Sequence, residues 1–169
     1  YPDDRLEAWA NRRRARGSPD PFPLVRLAAL RLLANGVTAC LHANWSYGGD
    51  QEAELESTLR AYDVAGIRAA VMVGVADRGA LLYPHRAEAD LLRSLDGLAR
   101  EVAEASRRHP FPETANGAAN IHDRLRARWA GHPRLSLGFG PAGPQWVSDT
   151  LFAEVAAAAA EREAPLHFH

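Results

Sequence analysis

Residues 134–169 read RLSLGFGPAGPQWVSDTLFAEVAAAAAEREAPLHFH, and this stretch decides the class of fold. It opens with a predicted strand at 134–139 and continues through a glycine- and proline-rich loop at 140–147. A helix is predicted after Ser148, because serine is a favoured N-cap residue. A further strand is predicted to start at 165–169. A strand, a helix and a further strand in this order predict a parallel βαβ unit with a right-handed crossover.

The same alternation continues upstream. Further apolar runs of strand length occupy 37–44 and 67–75, and the second is typical of a strand that is buried on both faces. Periodicity and glycine stops predict helices over 24–35, 52–65, 88–108, 119–130 and 151–162. Two α/β architectures fit this order: part of a (β/α)₈ barrel, or a small doubly wound sheet.

Composition excludes several classes of protein. The 169 residues carry a net charge of −1, with 47% apolar and 24% charged residues, which describes a globular chain and argues against disorder. No apolar run approaches the roughly 20 residues that a bilayer requires. The balanced charge predicts no nucleic-acid or membrane partner. Residues 1–16 resemble no signal peptide, so we expect a cytoplasmic protein.

Candidate functional residues lie at the carboxyl ends of the predicted strands, where parallel α/β folds gather reactive groups. Period-two alternation places Cys40, His42 and Asn44 on one face of the first strand. Cys40 is the only cysteine, and we interpret it as a small buried apolar residue. Gln145 and Trp146 follow the third strand.

The fourth predicted strand ends in His167 and His169, which share a face. A His-x-His pair is a common way to offer imidazoles to zinc or iron, but two histidines supply at most half of a tetrahedral site. The alternative is one core histidine and one rim histidine. The remaining histidines are predicted to be solvent-facing: His85, His109, His122 and His132.

Three parts of the last third resemble the amidohydrolase superfamily: LSLGFGPAGP at 135–144, Ser148-Asp149 opening a helix, and APLHFH at 164–169. The similarity is greatest to its branch of metal-dependent deaminases and chlorohydrolases. Upstream, LEAW at 6–9, NGVT at 35–38 and AGIR at 65–68 resemble the segments around strands one to three of that branch.

The resemblance implies that 1–169 is a single segment of a (β/α)₈ barrel, comprising strands two to five with their helices. Residues 1–23 would form a loop and a short helix after a first strand upstream. His169 matches the strand-five metal ligand, whereas His167 matches a position that is not a ligand. The family's catalytic acid–base residue and its other metal ligands match nothing in this sequence, so we expect these residues alone to be inactive.

The implied cofactor is one divalent metal, zinc or alternatively iron. All 20 basic residues are arginine, so the modified lysine that bridges two metals in binuclear members is absent, which favours a mononuclear site. Ala142 stands where purine-type deaminases carry a substrate-contacting histidine, so the resemblance does not indicate a purine substrate. Gln145 and Trp146 are the candidates to line the pocket, although Trp146 could equally be core packing. His42 and Asn44 are further candidates for substrate contact.

The predicted function is hydrolysis of a C–N or C–Cl bond in a cyclic or amide small molecule by a metal-activated water. Two alternatives remain. The chain could be a doubly wound domain that binds a nucleotide or phosphate, for which the turn at 46–50 is the only candidate, or a barrel without catalytic activity. A homo-oligomer is compatible with each of these functions.

Overall fold

The computed structural model describes residues 20–46, 50–78, 87–107 and 110–168, and the predicted loop and short helix at 1–23 lie almost wholly outside them. Within those ranges the chain is an α/β protein with six helices and a parallel sheet of three strands. The elements in chain order are α1 (Phe22–Ala34), β1 (Ala39–Ala43), α2 (Gln51–Ala65), β2 (Arg68–Val75), α3 (Glu88–Ser94), α4 (Gly97–Arg107), α5 (Ala115–Arg128), β3 (Leu135–Pro141) and α6 (Asp149–Glu161).

The sheet has the order β1-β2-β3, and both pairs of neighbours are parallel, as the alternation predicts. A fourth segment joins it as a single bridge rather than a full strand, with Leu166 paired in parallel to Phe139. Two hydrogen bonds of 2.9 Å hold that bridge, from the Phe139 amide to the Pro165 carbonyl and from the His167 amide to the Phe139 carbonyl. Within the described residues, the strand predicted at 165–169 is therefore present only as a short segment at 165–167 beside β3.

Helix α2 shows how local sequence sets the boundaries. The Asp50 carboxylate accepts hydrogen bonds from the amides of Glu52 and Ala53 at 2.9 and 3.3 Å, which satisfies two of the free donors at the helix start. Gly66 ends the helix with φ 83°, a left-handed conformation that glycine adopts without steric cost. None of the helices in the described ranges is long and apolar enough to cross a membrane.

The core lies between the sheet and the helices α2, α5 and α6. Its burial is the main favourable term for this arrangement, at roughly 25 cal/mol per Å² of apolar surface removed from water. The larger side chains that are fully buried there are Leu55, Leu59, Ile67, Val71, Val73, Val75, Leu125, Phe139 and Val155.

The prediction of one continuous helix over 88–108 is wrong, because the structure has two helices there, α3 and α4. Leu95 adopts an extended backbone with ψ 147°, and the Asp96 carbonyl accepts a hydrogen bond from the Arg100 amide at the start of α4. Aspartate and glycine both favour turns and caps over helix interiors, so the Asp96-Gly97 pair interrupts a stretch whose periodicity is otherwise helical.

Candidate functional site

Three aromatic rings meet at the carboxyl end of the sheet. Trp45, directly beyond β1, packs edge-on against Trp146, which follows β3, with 5.3 Å between ring centroids. Trp45 also packs edge-on against Phe111 at 5.5 Å. We call Trp45, Phe111 and Trp146 the aromatic cluster. It brings the loops after the first and third strands together at one end of the sheet.

A glycine in β2 makes room for this cluster. A Cβ atom at Gly74 would lie 2.6 Å from a ring carbon of Phe111 and 3.1 Å from the main-chain oxygen of Asn44. Both distances are shorter than ordinary van der Waals contact. Any larger residue at this position would therefore displace the Phe111 ring or the end of β1.

The loop after β2 is tied to the loop after β3. The Asp77 carboxylate accepts hydrogen bonds from the amide and the hydroxyl of Ser148, at 2.7 and 2.5 Å. The Trp146 carbonyl accepts from the amides of Asp77 and Arg78, each at 3.0 Å. These bonds orient the Trp146 backbone, and the Ser148 hydroxyl also caps α6 by accepting from the Leu151 amide.

The turn that carries Gln145 and Trp146 depends on Gly143. Its φ of 152° lies in the region that favours glycine, and its carbonyl accepts from the amides of Trp146 and Val147 at 3.0 Å. Gln145 is half-buried, whereas Trp146 is only 6% exposed. In this conformation the Trp146 ring packs inside the protein, as the core-packing alternative describes.

His42 lies between the sheet and α2. Its Nδ1 and the Tyr62 hydroxyl share a hydrogen bond of 2.7 Å, and the two rings meet edge-on. Cys40 lies near enough to Tyr62, and Asn44 near enough to His42, for each to affect the pKa of its neighbour. Cys40 and His42 are half-buried while their neighbours in β1 are exposed, so the predicted alternation is present at these two residues. At His42 this face is covered by α2.

Burial keeps this group uncharged. Desolvation lowers the pKa of His42, although the neighbouring Asn44 opposes that effect. Desolvation also raises the pKa of the Tyr62 phenol and of the Cys40 thiol. Near neutral pH the three side chains are therefore a neutral imidazole, a phenol and a thiol, which can orient neighbours by hydrogen bonding but supply no thiolate nucleophile.

Gln51 is a buried polar residue of this region that sequence analysis missed. Its side-chain Nε2 donates to the Gly74 carbonyl at 3.2 Å, and the residue is 5% exposed. The pairing of β1 with β2 ends at Ala43 and Met72, so the Gln51 amide satisfies a carbonyl just beyond the ladder. Its position in the first turn of a helix gave no sign of this, because glutamine there is ordinarily exposed.

Two histidines predicted to be solvent-facing are partly or wholly buried instead, so that prediction is wrong. His122 is 1% exposed, stacks on Phe139 at 4.7 Å and hydrogen-bonds to Asp123. His132 hydrogen-bonds to Asp63 at 3.0 Å and precedes β3, at the end of the sheet away from the aromatic cluster. The contacts that bury these two rings come from distant parts of the chain: Phe139 of β3 for His122, and Asp63 of α2 for His132. Local sequence does not reveal such contacts.

The predicted metal ligand His169 lies outside the described residues, as do His85 and His109. His167 is half-buried beside β3. The described residues include no group of three histidine, cysteine, aspartate or glutamate side chains that could hold a metal ion. The turn at 46–50, on which the phosphate-binding alternative depends, is described only at its two ends.

Comparisons with known proteins give matches in structure only. No protein-family model matches the sequence, and neither does any curated protein. A mutant atrazine chlorohydrolase from Arthrobacter aurescens, complexed with zinc and atraton, matches with a TM-score of 0.59 at 18% identity. That match covers 87% of this chain and 30% of the chlorohydrolase chain.

Two further solved structures agree with it. An adenosine deaminase from Xanthomonas campestris with bound zinc gives a TM-score of 0.55 at 19% identity, over 86% of this chain and 25% of that one. An amidohydrolase from Brucella melitensis gives 0.58 at 16% identity, over 90% of this chain and 32% of that one. The chain therefore spans about a third or less of the length of these matches. At the level of the fold, the resemblance to the amidohydrolase superfamily is confirmed: the chain has the fold of one segment of such enzymes.

Proposed function

We propose that this chain is the strand-two-to-five segment of a metal-dependent hydrolase barrel that cleaves a C–N or C–Cl bond of a cyclic or amide substrate. The observation that carries this proposal is the structural match over 86–90% of the chain to three hydrolases of that kind, two of them solved with zinc. The grouping of Trp45, Phe111 and Trp146 at the carboxyl end of the sheet supports it, since barrel enzymes bind substrate at that end.

His169 is the proposed metal ligand of this segment, with zinc as the metal and iron as the alternative. The segment that precedes His169 in the chain pairs in parallel with β3, with Leu166 opposite Phe139, which supports this proposal. A bound divalent metal would lower the pKa of its water and so provide a hydroxide near neutral pH. The remaining ligands and the acid–base residue would come from other parts of the barrel.

The chain's own residues would shape the substrate pocket. Trp146, with the half-buried Gln145 beside it, follows β3 and is held in place through Asp77. An aromatic ring can pack against a planar substrate, and a side-chain amide can hydrogen-bond its edge. Asn44 directly follows β1 at the same end of the sheet, close to His42. We propose His42, Asn44 and Gln145 as substrate contacts. Trp146, whose ring is buried in the aromatic cluster, would line the pocket by supporting the neighbouring Gln145.

Metal analysis of the complete gene product tests the proposal. We expect about one zinc or iron per chain and hydrolysis of at least one member of a panel of chlorinated and aminated triazines, cyclic amides and aminopurines. His169→Ala should abolish both metal retention and hydrolysis, because a catalytic zinc site needs about three protein ligands.

His167→Ala is the matched control, since His167 lies two residues away on the same extended segment. It should retain the metal. If the His169→Ala protein keeps a full complement of metal, the proposed ligand is wrong. A metal-free wild-type protein that cannot be loaded with zinc or iron would refute the hydrolase function itself.

A further inference from the structure

An open cavity of about 460 Å³ lies at the amino end of the sheet, away from the aromatic cluster. Arg68, which lines it, is the first residue of β2 and stands roughly 20 Å along that strand from Gly74, beside the aromatic cluster. The volume is within the usual range of small-molecule sites. Small side chains from the three strands leave this space open: Ala39, Cys40, Ala69, Ala70 and Ser136.

Two arginines line this cavity, Arg68 and Arg134. Their relative position is fixed by the parallel pairing of Ala69 with Leu135, because each arginine directly precedes one member of that pair. The Ala69 amide donates to the Arg134 carbonyl at 2.9 Å, which holds the two backbones in this register. Neighbouring strands are about 4.8 Å apart, so the two arginines start side by side at the same end of the sheet.

The charge around the cavity is positive. Among the described residues that line it none is acidic, and the rest of the lining is His132, Pro133 and Leu135. Asp63 of α2, outside the lining, forms an ion pair with Arg134 at 2.8 Å. Arg68 donates to the Thr38 hydroxyl at 2.8 Å and forms no ion pair within the described part of the chain. One of the two arginine charges therefore lacks a compensating carboxylate there.

His132 and Arg134 differ in how far their nitrogens are satisfied. The His132 Nδ1 accepts hydrogen bonds from the amides of Arg134 and Leu135 at 3.3 and 3.1 Å, and its Nε2 bonds to Asp63, so this ring supports the backbone. The Arg134 Nε, by contrast, has no hydrogen-bond partner among the described residues. Like charges that face each other on neighbouring strands destabilise a sheet, and an anion bound between Arg68 and Arg134 would remove that cost.

We propose that this cavity binds the phosphate group of a small molecule, with Arg68 and Arg134 as its ligands. The planar guanidinium group matches the geometry of phosphate oxygens, and Arg68 keeps the N–H donors that Thr38 does not use. A phosphate monoester carries three acceptor oxygens and a charge near −2, so it can accept from both arginines at once. The site does not depend on the proposed hydrolase function, since it includes none of the residues proposed to contact metal or substrate.

Calorimetric titration of the complete protein with inorganic phosphate tests the site. Low ionic strength is required, because salt screens exposed charges. The wild-type protein should bind phosphate, and Arg68→Gln should weaken that binding about tenfold, as expected for one hydrogen bond between charged groups. Arg68→Lys should retain part of the affinity, because lysine keeps the charge but lacks the planar fork.

Arg26→Gln is the matched control, because Arg26 is an exposed arginine on α1 and its replacement removes the same charge elsewhere. It should bind phosphate like the wild type. Arg68 is exposed, so Arg68→Gln should unfold thermally at the wild-type midpoint without phosphate. Added phosphate should then raise the wild-type midpoint more than that of Arg68→Gln. Arg134→Gln is less suitable, since it also deprives Asp63 of its partner.

The inference is overturned if the wild-type protein binds no phosphate at concentrations up to about 10 mM. It is also overturned if Arg68→Gln binds as tightly as the wild type, which is the result expected when a metal at the other end of the sheet holds the phosphate. Equal weakening by Arg26→Gln and Arg68→Gln would indicate general charge attraction and would overturn it too. A protein that retains no metal but binds phosphate through Arg68 refutes the proposed function and leaves this site standing.

Discussion

Replacing Gly138 by alanine should destabilise the protein by a predictable amount. Gly138 lies in β3, and a Cβ atom there would stand 2.3 Å from the Pro165 carbonyl oxygen and 2.7 Å from the Met72 sulfur. The Met72 side chain can move, but the Pro165 oxygen belongs to the backbone. That oxygen accepts the hydrogen bond from the Phe139 amide that holds the fourth segment against the sheet.

The magnitude follows from these contacts. The Pro165 oxygen must retreat by roughly 1 Å to reach ordinary contact distance. One extra methyl in a packed site costs about 1–3 kcal/mol, and a weakened backbone hydrogen bond adds about 1 kcal/mol. We therefore expect a loss of about 2–4 kcal/mol in the free energy of unfolding. The displaced segment carries the chain toward His169, so metal occupancy should fall with it.

Urea unfolding of the complete protein measures this loss. The control is Ser136→Ala, because Ser136 is exposed two residues earlier on the same face of β3. Its effect should stay within about 0.5 kcal/mol, as is usual for surface substitutions. If Gly138→Ala unfolds at the same urea concentration as Ser136→Ala, the packing of 165–167 against β3 is wrong.

Two further predictions concern His42 and Ser148. Burial lowers the native pKa of His42, so on acidification the unfolded chain binds the proton first and stability falls as pH drops below about 6.5. His42→Gln should flatten the stability–pH curve between pH 5 and 7 by up to about 1.4 kcal/mol per pH unit in urea titrations, and an unchanged slope would contradict the buried imidazole. Ser148→Ala removes the cap on the Leu151 amide and the hydrogen bond to Asp77, and should cost about 1–2 kcal/mol, whereas Ser148→Thr should retain most of that stability.

Local patterns predicted the elements of this chain well where a single physical signal dominates. Gly66 ends α2 because glycine alone adopts φ 83° without cost, and Ser148 caps α6 through its own hydroxyl. The division at Asp96-Gly97 was missed because the apolar periodicity of 88–108 outweighed a two-residue turn signal. The start of α5 at Ala115 was missed too, although Thr114 caps it.

The candidate site was predictable only in part. The alternation of side chains along a strand placed Cys40, His42 and Asn44 on one face, since that period is a property of the extended backbone. It could not show that α2 covers this face at His42, because Tyr62 reaches His42 from 20 residues away. Gln51 was overlooked because its role depends on the Gly74 carbonyl, 23 residues further on.

The sequence by itself determined the order of strands and helices, the parallel sheet and the end of that sheet at which polar and aromatic residues collect. These follow from periodicity, capping and the handedness of crossovers, all of which act over short distances along the chain. Only the tertiary structure decided that Trp45, Phe111 and Trp146 form one cluster and that Gly74 makes room for it. The physical reason is that close packing and hydrogen-bond satisfaction join residues that are distant in the chain, and no local pattern encodes which partners will meet.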